Sequence, residues 1–380
     1  MIYISLLHVF PLCSINFLMA GYDSISPDLR VTARGARSNA AGRYEATEIR
    51  YEADGWAQEA DEKPLRTHVT DEVARRIISY NRSPDLPFDR SINPYRGCEH
   101  GCIYCFARPT HAWLGMSPGL DFETRLIARP NAAALLDAEL RNPRYVPQPI
   151  AIGTNTDPYQ PIERSHEITR ACLEVLRRFR HPVAIITKGT LIERDLDILS
   201  DMAAQGLVRV GISVTSLDAG LARKLEPRAP SPARRLATIR ALSGAGVPVR
   251  IMASPVIPGL TDHEIEALLA AAREAGADAA SWIMLRLPLE VAPLFQDWLQ
   301  EHYPDRVNRV MNRVREMHGG KEYAADWGRR MRGSGVYARL IARRFEAAAA
   351  RLGLEKGQTR LRLDLFDRPF EKGDQLALFG

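Results

Sequence analysis

Three cysteines within eight residues form the pattern in this chain with the clearest chemical meaning. Cys98, Cys102 and Cys105 are separated by gaps of three and two residues, so one loop can place three thiolates around a single centre. Gly97 and Gly101 give that loop the backbone freedom that a tight path needs. Iron–sulfur cubanes are normally held by four thiolates. Because the motif supplies only three, it predicts a [4Fe–4S] cluster with one iron left open to another ligand.

A zinc site is the alternative for the same three cysteines. His100 lies inside the motif and could act as a fourth ligand beside the thiolates. The paired CxxC arrangement of many zinc sites is absent, which favours the cluster. Cys13 and Cys172 have no motif context, and Cys172 lies in an amphipathic stretch where a core position is expected. Five cysteines in 380 residues do not indicate a disulfide framework, so a reducing, cytoplasmic location is expected.

The elements that must position this motif are predicted by apolar runs that alternate with amphipathic stretches. Buried strands are predicted at residues 149–154, 182–187, 208–215, 248–255 and 279–285. Amphipathic helices are predicted at residues 163–179 and 191–205, then from Pro232 with Ser231 as N-cap, and from Thr261 with Glu264 completing a capping box. Continuous apolar runs separated by helices are typical of parallel strands buried on both faces. With one strand before the cysteines, about six β/α units result, which suits a partial barrel.

Three further motifs accompany the cysteines: NPYR at residues 93–96, GTNTDPY at residues 153–159, and TKG at residues 187–189. Together they make the region from Ser91 to Leu287 resemble radical S-adenosylmethionine (SAM) proteins of the spore photoproduct lyase-like family. The resemblance implies an α/β fold with a partial (β/α)6 TIM-like barrel, in which SAM chelates the open iron. It also implies a 5′-deoxyadenosyl radical that abstracts hydrogen from a substrate carbon. The implied SAM-binding residues at the strand ends are Thr154, Asn155, Lys188 and Ser213.

One departure from that family concerns the hydrogen donor. The lyase that repairs spore DNA has a donor cysteine just before its strand-end serine, whereas this chain reads Ile152-Gly153-Thr154. Tyr104 matches an aromatic residue of the lyase's motif region, and Phe106 stands where the lyase has a tyrosine. The resemblance therefore implies a related reaction rather than an identical one, with Tyr104 as the candidate catalytic residue.

Positive charge is concentrated in a basic helical C-terminal region. Residues 302–351 hold twelve Lys or Arg against five Asp or Glu, although the whole chain nets only +5. Arginine clusters contact phosphates, and the interleaved Tyr323, Trp327 and Tyr337 could stack on bases, so nucleic-acid binding is predicted. A solvated helix face is the alternative. The candidate cations are Arg313, Arg315, Lys321, Arg329, Arg330, Arg332, Arg339, Arg343 and Arg344.

The domain organisation predicted from these patterns has four parts. Residues 1–84 form an N-terminal extension, residues 85–290 the barrel, residues 291–366 the basic helical region and residues 367–380 a flexible tail. Within the extension, residues 34–39 (RGARSN) are expected to form a flexible basic arm. The tail residues 375–379 (QLALF, from Gln375 to Phe379) resemble the peptide by which bacterial replication and repair proteins dock on the DNA polymerase sliding clamp.

The first nineteen residues are apolar but carry no Lys or Arg, and Pro11 interrupts them. They match neither a secretory signal nor a membrane helix, so no membrane association is expected. Met19 is the predicted initiator, and a weak membrane anchor is the alternative.

These patterns predict a radical SAM enzyme that acts in repair or modification of DNA. An electron donor such as flavodoxin or ferredoxin is expected as a partner. One alternative keeps the enzyme class and changes the substrate to a protein or a small molecule. The other is a non-enzymatic zinc-binding adaptor.

Overall fold

A seven-stranded sheet organises the chain in the computed structural model, which describes residues 34–40, 42–44, 65–354 and 360–370. The strands in these ranges are β1 (His68–Asp71), β2 (Ile78–Tyr80), β3 (Arg90–Ile92), β4 (Tyr95–Arg96), β5 (Arg125–Ala128), β6 (Ile150–Ile152), β7 (Val183–Thr187), β8 (Val208–Ser213), β9 (Val249–Val256) and β10 (Ala279–Met284). The seven-stranded sheet has the spatial order β10-β9-β8-β7-β6-β3-β2. A smaller sheet has the order β1-β5-β4.

Six strands of the large sheet run parallel in the order of a partial barrel. β3 pairs with β6, and each later strand from β7 to β10 pairs in parallel with the one before it. β2 closes the other edge as an antiparallel partner of β3. The strands consist largely of β-branched and small apolar residues that are buried on both faces, as in Val208–Ser213. The predicted α/β partial barrel with six parallel units is thus confirmed.

Helices cover the outer face of this sheet and extend beyond it. In the described ranges they are α1 (Asp121–Thr124), α2 (Ala132–Arg141), α3 (Glu163–His166), α4 (Ile168–Arg178), α5 (Leu196–Ala204), α6 (Ala219–Leu225), α7 (Pro232–Gly244), α8 (Ile265–Glu274), α9 (Val291–His302), α10 (Val307–Met317) and α11 (Gly335–Arg351). α11 packs on α8, and its Phe345 contacts Trp282 of β10 with ring centroids 6.0 Å apart. None of these helices combines the length and the apolar character needed to cross a bilayer.

Helix boundaries test the sequence prediction in detail. Ser231 caps α7 as predicted, because its side chain accepts a hydrogen bond from the Arg234 N–H. The capping box before α8 is wrong: Thr261 Oγ1 accepts from the Ile257 N–H instead. The carboxylate of Glu264 accepts from the Leu217 N–H, so both side chains fasten neighbouring loops.

Two other predictions fail for local reasons. The helix predicted over residues 163–179 is broken between α3 and α4, where Glu167 has a left-handed φ of 50°. The arm at residues 34–39 is not free, because the Gly35 and Ala36 N–H groups donate to the carboxylate of Glu123 at 2.9 and 2.8 Å. A Cβ on Gly35 would lie 1.7 Å from the Gly101 carbonyl oxygen, so only glycine allows this approach. We call residues 34–40 the N-terminal strap. The predictions for residues 1–19 and 375–379 lie outside the described residues.

Candidate cluster and cofactor site

A cavity of about 240 Å³ opens at the carboxyl ends of the parallel strands, and the three motif cysteines line it. The first part of its wall is the loop after β6, which supplies Thr154 and Asn155. Lys188 follows β7 and Ser213 ends β8, so the sequence-predicted cofactor residues all lie in this one wall. Barrels of this kind carry their active sites at the carboxyl ends of the strands. The structure therefore brings together every candidate cluster and SAM residue.

The cysteine loop is held by backbone contacts to elements around it. Cys98 N–H donates to the Phe122 carbonyl at 2.9 Å, and the Ile103 N–H donates to the Leu225 carbonyl at 3.0 Å. Gly101 adopts a φ of 66°, and a Cβ there would lie 2.7 Å from the Glu123 carboxylate. Glycine at this position thus lets the loop turn while staying close to a buried carboxylate.

A fully buried ion pair between Arg108 and Glu123 supports the cysteine loop. The guanidinium of Arg108 donates to the carbonyls of Cys102 at 3.0 Å and Gly101 at 3.3 Å. It also binds the carboxylate of Glu123 at 2.5 Å, and neither side chain of this pair is exposed. Because the guanidinium fork is planar and pre-organised, these bonds fix the path of the backbone at the second cysteine.

The three thiols suit a metal cluster better than they suit free thiolates. All three are free of disulfides, and burial raises the pKa of each thiol, to about 12 for Cys102. Burial of this kind favours the neutral thiol, and coordination to iron would provide the positive charge that a thiolate needs. The three cysteines line one cavity and match the donor set of a [4Fe–4S] cluster with one open iron.

The GTNTDPYQ segment fastens the cysteine loop to the barrel. The side-chain amide of Gln160 accepts from the Glu99 N–H at 3.0 Å and donates to the Gly97 carbonyl at 3.1 Å. Thr156 Oγ1 donates to the Tyr95 carbonyl at 3.0 Å. The motif thus has a positioning role that its sequence alone did not reveal.

Asp157 in that segment is a buried carboxylate that the sequence prediction missed. It accepts hydrogen bonds from the Lys188 N–H at 2.7 Å and from Thr187 Oγ1 at 2.6 Å. His100 Nδ1 lies 3.3 Å from Asp157 Oδ2, the oxygen that also accepts from the Lys188 N–H. This is where the structure places the residue considered as a zinc ligand. Burial by itself would raise the pKa of Asp157, and His100 together with these hydrogen bonds lowers it to about 2. The carboxylate thus holds the start of the TKG motif and the cysteine loop together.

Lys188 lines the cavity and belongs to a network of hydrogen bonds and ion pairs around a second buried carboxylate, that of Glu226. Its Nζ donates to Ser213 Oγ at 2.8 Å and lies 3.9 Å from an oxygen of Glu226. The guanidinium of Arg235 binds the other oxygen of Glu226 and donates to the Ser213 carbonyl at 3.0 Å. Burial by itself would raise the pKa of Glu226, and Arg235 and Lys188 lower it to about 2. The carboxylate is therefore ionised and fixes two cations at the end of β8.

Tyr104 belongs to the same network. Its hydroxyl donates to Glu226 and lies 3.0 Å from Thr215 Oγ1, which itself donates to Glu226 at 2.6 Å. Burial and the adjacent carboxylate raise the pKa of Tyr104 well above its ordinary value. The ring contributes to the cavity wall, but the phenolic hydrogen is directed to Glu226. Nothing in the sequence marked Glu226, Thr215 or Arg235, because each stands alone between ordinary helix and strand residues.

The mouth of the cavity is bordered by a loop between α10 and α11. Arg330 makes a bidentate ion pair with Asp85, with N···O distances of 2.6 and 2.7 Å. The Gly328 N–H also donates to Asp85 at 3.4 Å. Met331 lines the cavity and its carbonyl accepts from the Met284 N–H at 2.9 Å. We call residues 324–334 the mouth loop. Trp327 in this loop is exposed.

The basic residues of the C-terminal region are largely paired. Arg330 is committed to Asp85, and Arg332 lies 4.3 Å from the ring centre of Trp282. Further ion pairs join Arg313 to Glu316, Arg315 to Glu322, Arg329 to Asp326 and Arg344 to Glu266. The positive field of this region is therefore weaker than the residue count suggests.

Comparison with known proteins gives one family and several relatives. The family model described as "Radical SAM superfamily" matches residues 92–272. An uncharacterized protein of Mycobacterium tuberculosis is 40% identical over 226 residues, which are 59% of this chain and 66% of the relative. An uncharacterized protein of Methanocaldococcus jannaschii is 25% identical over 63% of this chain and 86% of the relative.

Among solved structures, spore photoproduct lyase complexed with dinucleoside spore photoproduct has a TM-score of 0.53 at 16% identity. The match covers 75% of this chain and 79% of the lyase. At this identity the likeness shows the fold alone.

Proposed function

The chain belongs to the radical SAM superfamily, and from that premise we propose that it is an enzyme that repairs or modifies DNA. The family implies a [4Fe–4S] cluster and SAM as cofactors. When bound and reduced, this pair supplies a 5′-deoxyadenosyl radical, which abstracts hydrogen from an unreactive carbon. The chain spans about two thirds of the length of the mycobacterial relative that it matches.

One observation carries the enzymatic part of the proposal. Three free thiols and four polar strand-end residues line the same cavity at the carboxyl ends of the parallel strands. Cys98, Cys102 and Cys105 would hold the cluster. Among the strand-end residues, the Lys188 ammonium is suited to a carboxylate, while Thr154, Asn155 and Ser213 offer hydrogen-bonding groups to the polar edges of SAM.

The residues around the cofactors have clear physical tasks. Asp157 and Gln160 hold the cysteine loop against the barrel, and Glu226 and Ser213 hold the Lys188 side chain in place. The mouth loop contributes Met331 to the wall of the cavity. Enclosing the reactive groups in this way limits side reactions of a radical intermediate.

Two features support nucleic acid as the substrate. The first is the similarity in fold to a lyase whose solved complex contains a dinucleoside photoproduct. The second is a pair of exposed rings: Phe106 in the cavity wall is 44% exposed, and Trp327 in the mouth loop is 63% exposed. Exposed aromatic rings beside arginine side chains give unpaired bases a stacking surface. These rings therefore match a nucleic-acid substrate better than a purely aliphatic one.

The experiment that tests this function is anaerobic reconstitution of the protein with iron and sulfide, followed by addition of SAM and dithionite. We expect 5′-deoxyadenosine as a product, and we expect ultraviolet-irradiated DNA to change the amount formed. A reconstituted protein that cleaves no SAM would contradict the enzymatic proposal. Stimulation by a peptide or a small metabolite, with none by DNA, would support the alternative substrate classes.

Substitutions in the mouth loop test the prediction that the protein binds DNA. Replacement of Trp327 and Arg329 by alanine is expected to weaken the binding of single-stranded DNA by about tenfold, because one stacking surface and one phosphate contact are lost. Fluorescence anisotropy at several salt concentrations measures the effect, and the salt dependence should become shallower. Arg362→Ala is the control, since Arg362 is exposed and contacts the turn at Gly206, at the opposite end of β8. Equal DNA affinity of the Trp327 and Arg329 double variant and of the Arg362→Ala control would contradict the prediction.

The proposal includes two protein partners. An acidic electron carrier such as flavodoxin or ferredoxin would reduce the cluster. The sliding clamp of DNA polymerase would bind the tail at residues 375–379, which lie outside the described residues. Docking on the clamp would bring the enzyme to newly replicated or repaired DNA.

A further inference from the structure

Two pairs of a cation and an aromatic ring flank Cys105. On the inner side, Lys188 Nζ lies 5.9 Å from the ring centre of the buried Tyr104. On the outer side, the Arg286 guanidinium lies 4.2 Å from the ring centre of the half-exposed Phe106. Both pairs line the same cavity, so it has an inner cationic end and an outer one.

The two cations differ in the partners that the protein gives them. Lys188 is held by Ser213 and by the carboxylate of Glu226. Among the described residues, Arg286 makes one hydrogen bond, to Met331 Sδ at 3.4 Å, and no ion pair with a carboxylate. Burial lowers the pKa of Arg286. A guanidinium removed from water without a counter-charge is unfavourable, and an anionic ligand would relieve that cost.

The surroundings of Arg286 define the kind of ligand that fits. Leu86, Phe88 and Phe106 are apolar residues of the cavity lining, and the flat ring of Phe106 lies against the guanidinium. Arginine offers five N–H donors in a planar fork, which matches the geometry of phosphate oxygens. A group that combines a phosphodiester with an adjoining flat ring would satisfy both features at once.

We propose that Arg286 binds a phosphodiester oxygen of the substrate and that Phe106 contacts the base beside it. This inference rests on the proposed function and names the atoms by which a nucleic acid enters the cavity. In this arrangement, Lys188 binds the cofactor at the inner end of the cavity, and Arg286 binds the substrate at its mouth. Arg286 thereby selects for a charged backbone at the position where the reacting base enters.

The proximity of Arg286 to Cys105 provides a competing role that the test must separate. A cation beside a cluster ligand stabilises the reduced, more negative state and raises the reduction potential. In that case, removal of the charge would shift the potential of the cluster without changing substrate affinity. A measurement of the potential therefore accompanies the binding measurement.

The test compares two probes on the reconstituted holoprotein with SAM bound. The probes are thymidylyl-thymidine, which carries one phosphodiester, and its neutral methylphosphonate analogue. We expect the wild type to bind the charged probe about tenfold more tightly, since one charge-assisted hydrogen bond is worth about one factor of ten. Arg286→Met should lose that difference, Arg286→Lys should keep part of it, and Arg362→Met should keep all of it.

Three results would overturn the inference. The first is a wild-type protein that binds both probes equally. The second is an Arg286→Met variant that retains the full preference for the charged probe. The third is an unchanged preference together with a shifted midpoint potential in an EPR-monitored titration, which would assign Arg286 to the cluster. None of these affects the DNA binding measured with the Trp327 and Arg329 variants, so failure here is distinguishable from failure of the proposed function.

Discussion

Replacement of Cys105 by alanine is expected to abolish the formation of 5′-deoxyadenosine from SAM. Removal of one thiolate leaves the cluster with two protein ligands. Because the cleavage of SAM depends on the cluster, this loss should stop the reaction. The loss should approach the whole catalytic acceleration, at least about 10⁶-fold. Iron and sulfide analysis after anaerobic reconstitution and chromatography of the nucleoside product measure the effect. The same result is expected for Cys98→Ala and Cys102→Ala.

Cys172→Ala is the matched control for these variants. Cys172 is fully buried in α4, where burial raises the pKa of its thiol to about 12, and it packs among apolar residues of the core. Its replacement should lower the free energy of unfolding by about 1–2 kcal/mol and leave the iron content at the wild-type level. A Cys105→Ala protein that retains a complete cluster, or a Cys172→Ala protein that loses it, would contradict the assignment.

Glu226→Gln is expected to lower the free energy of unfolding by about 3–5 kcal/mol, because it leaves the buried guanidinium of Arg235 without its counter-charge. The change preserves the size of the side chain, so the effect comes from charge and hydrogen bonding. Lys188 loses the same counter-charge, and SAM affinity should fall as well. Denaturant titration under anaerobic conditions measures stability, and equilibrium dialysis measures SAM binding.

The control for this variant is Glu193→Gln. Glu193 pairs with Arg234 on the surface, where both side chains are partly exposed. Such pairs contribute about 0–1 kcal/mol. The double variant Glu226→Gln/Arg235→Met should recover part of the lost stability, since it removes the unpaired charge. Equal losses for Glu226→Gln and Glu193→Gln would show that the buried network has no special role.

The barrel could be predicted from sequence because its strands are continuous apolar runs that are separated by amphipathic helices. The cysteine loop and Lys188 were predictable because they belong to short motifs, and Ser213 because the family resemblance assigns it a place at the end of a predicted strand. Both kinds of information are local, and the parallel topology converts them into one shared cavity.

The supporting residues could not be predicted because their partners are distant in sequence. Glu226 meets Tyr104 across 122 positions, and Asp85 meets Arg330 across 245. Arg330 illustrates the difficulty: its sequence context is that of a phosphate contact, but the fold uses it to fix the mouth loop. The Thr261 and Glu264 spacing fits a cap, yet both side chains accept hydrogen bonds from backbone N–H groups of neighbouring loops instead.

The N-terminal strap has a consequence for the lifetime of the cluster in air. Gly35 lies against the Gly101 carbonyl oxygen, and the Gly35 and Ala36 N–H groups donate to Glu123, so the strap covers the cysteine loop at Gly101. A shortened protein that starts at the barrel would keep its fold-defining strands but would leave this part of the loop open to dissolved dioxygen. We therefore expect removal of the strap to shorten the half-life of the cluster more than it shortens that of the fold.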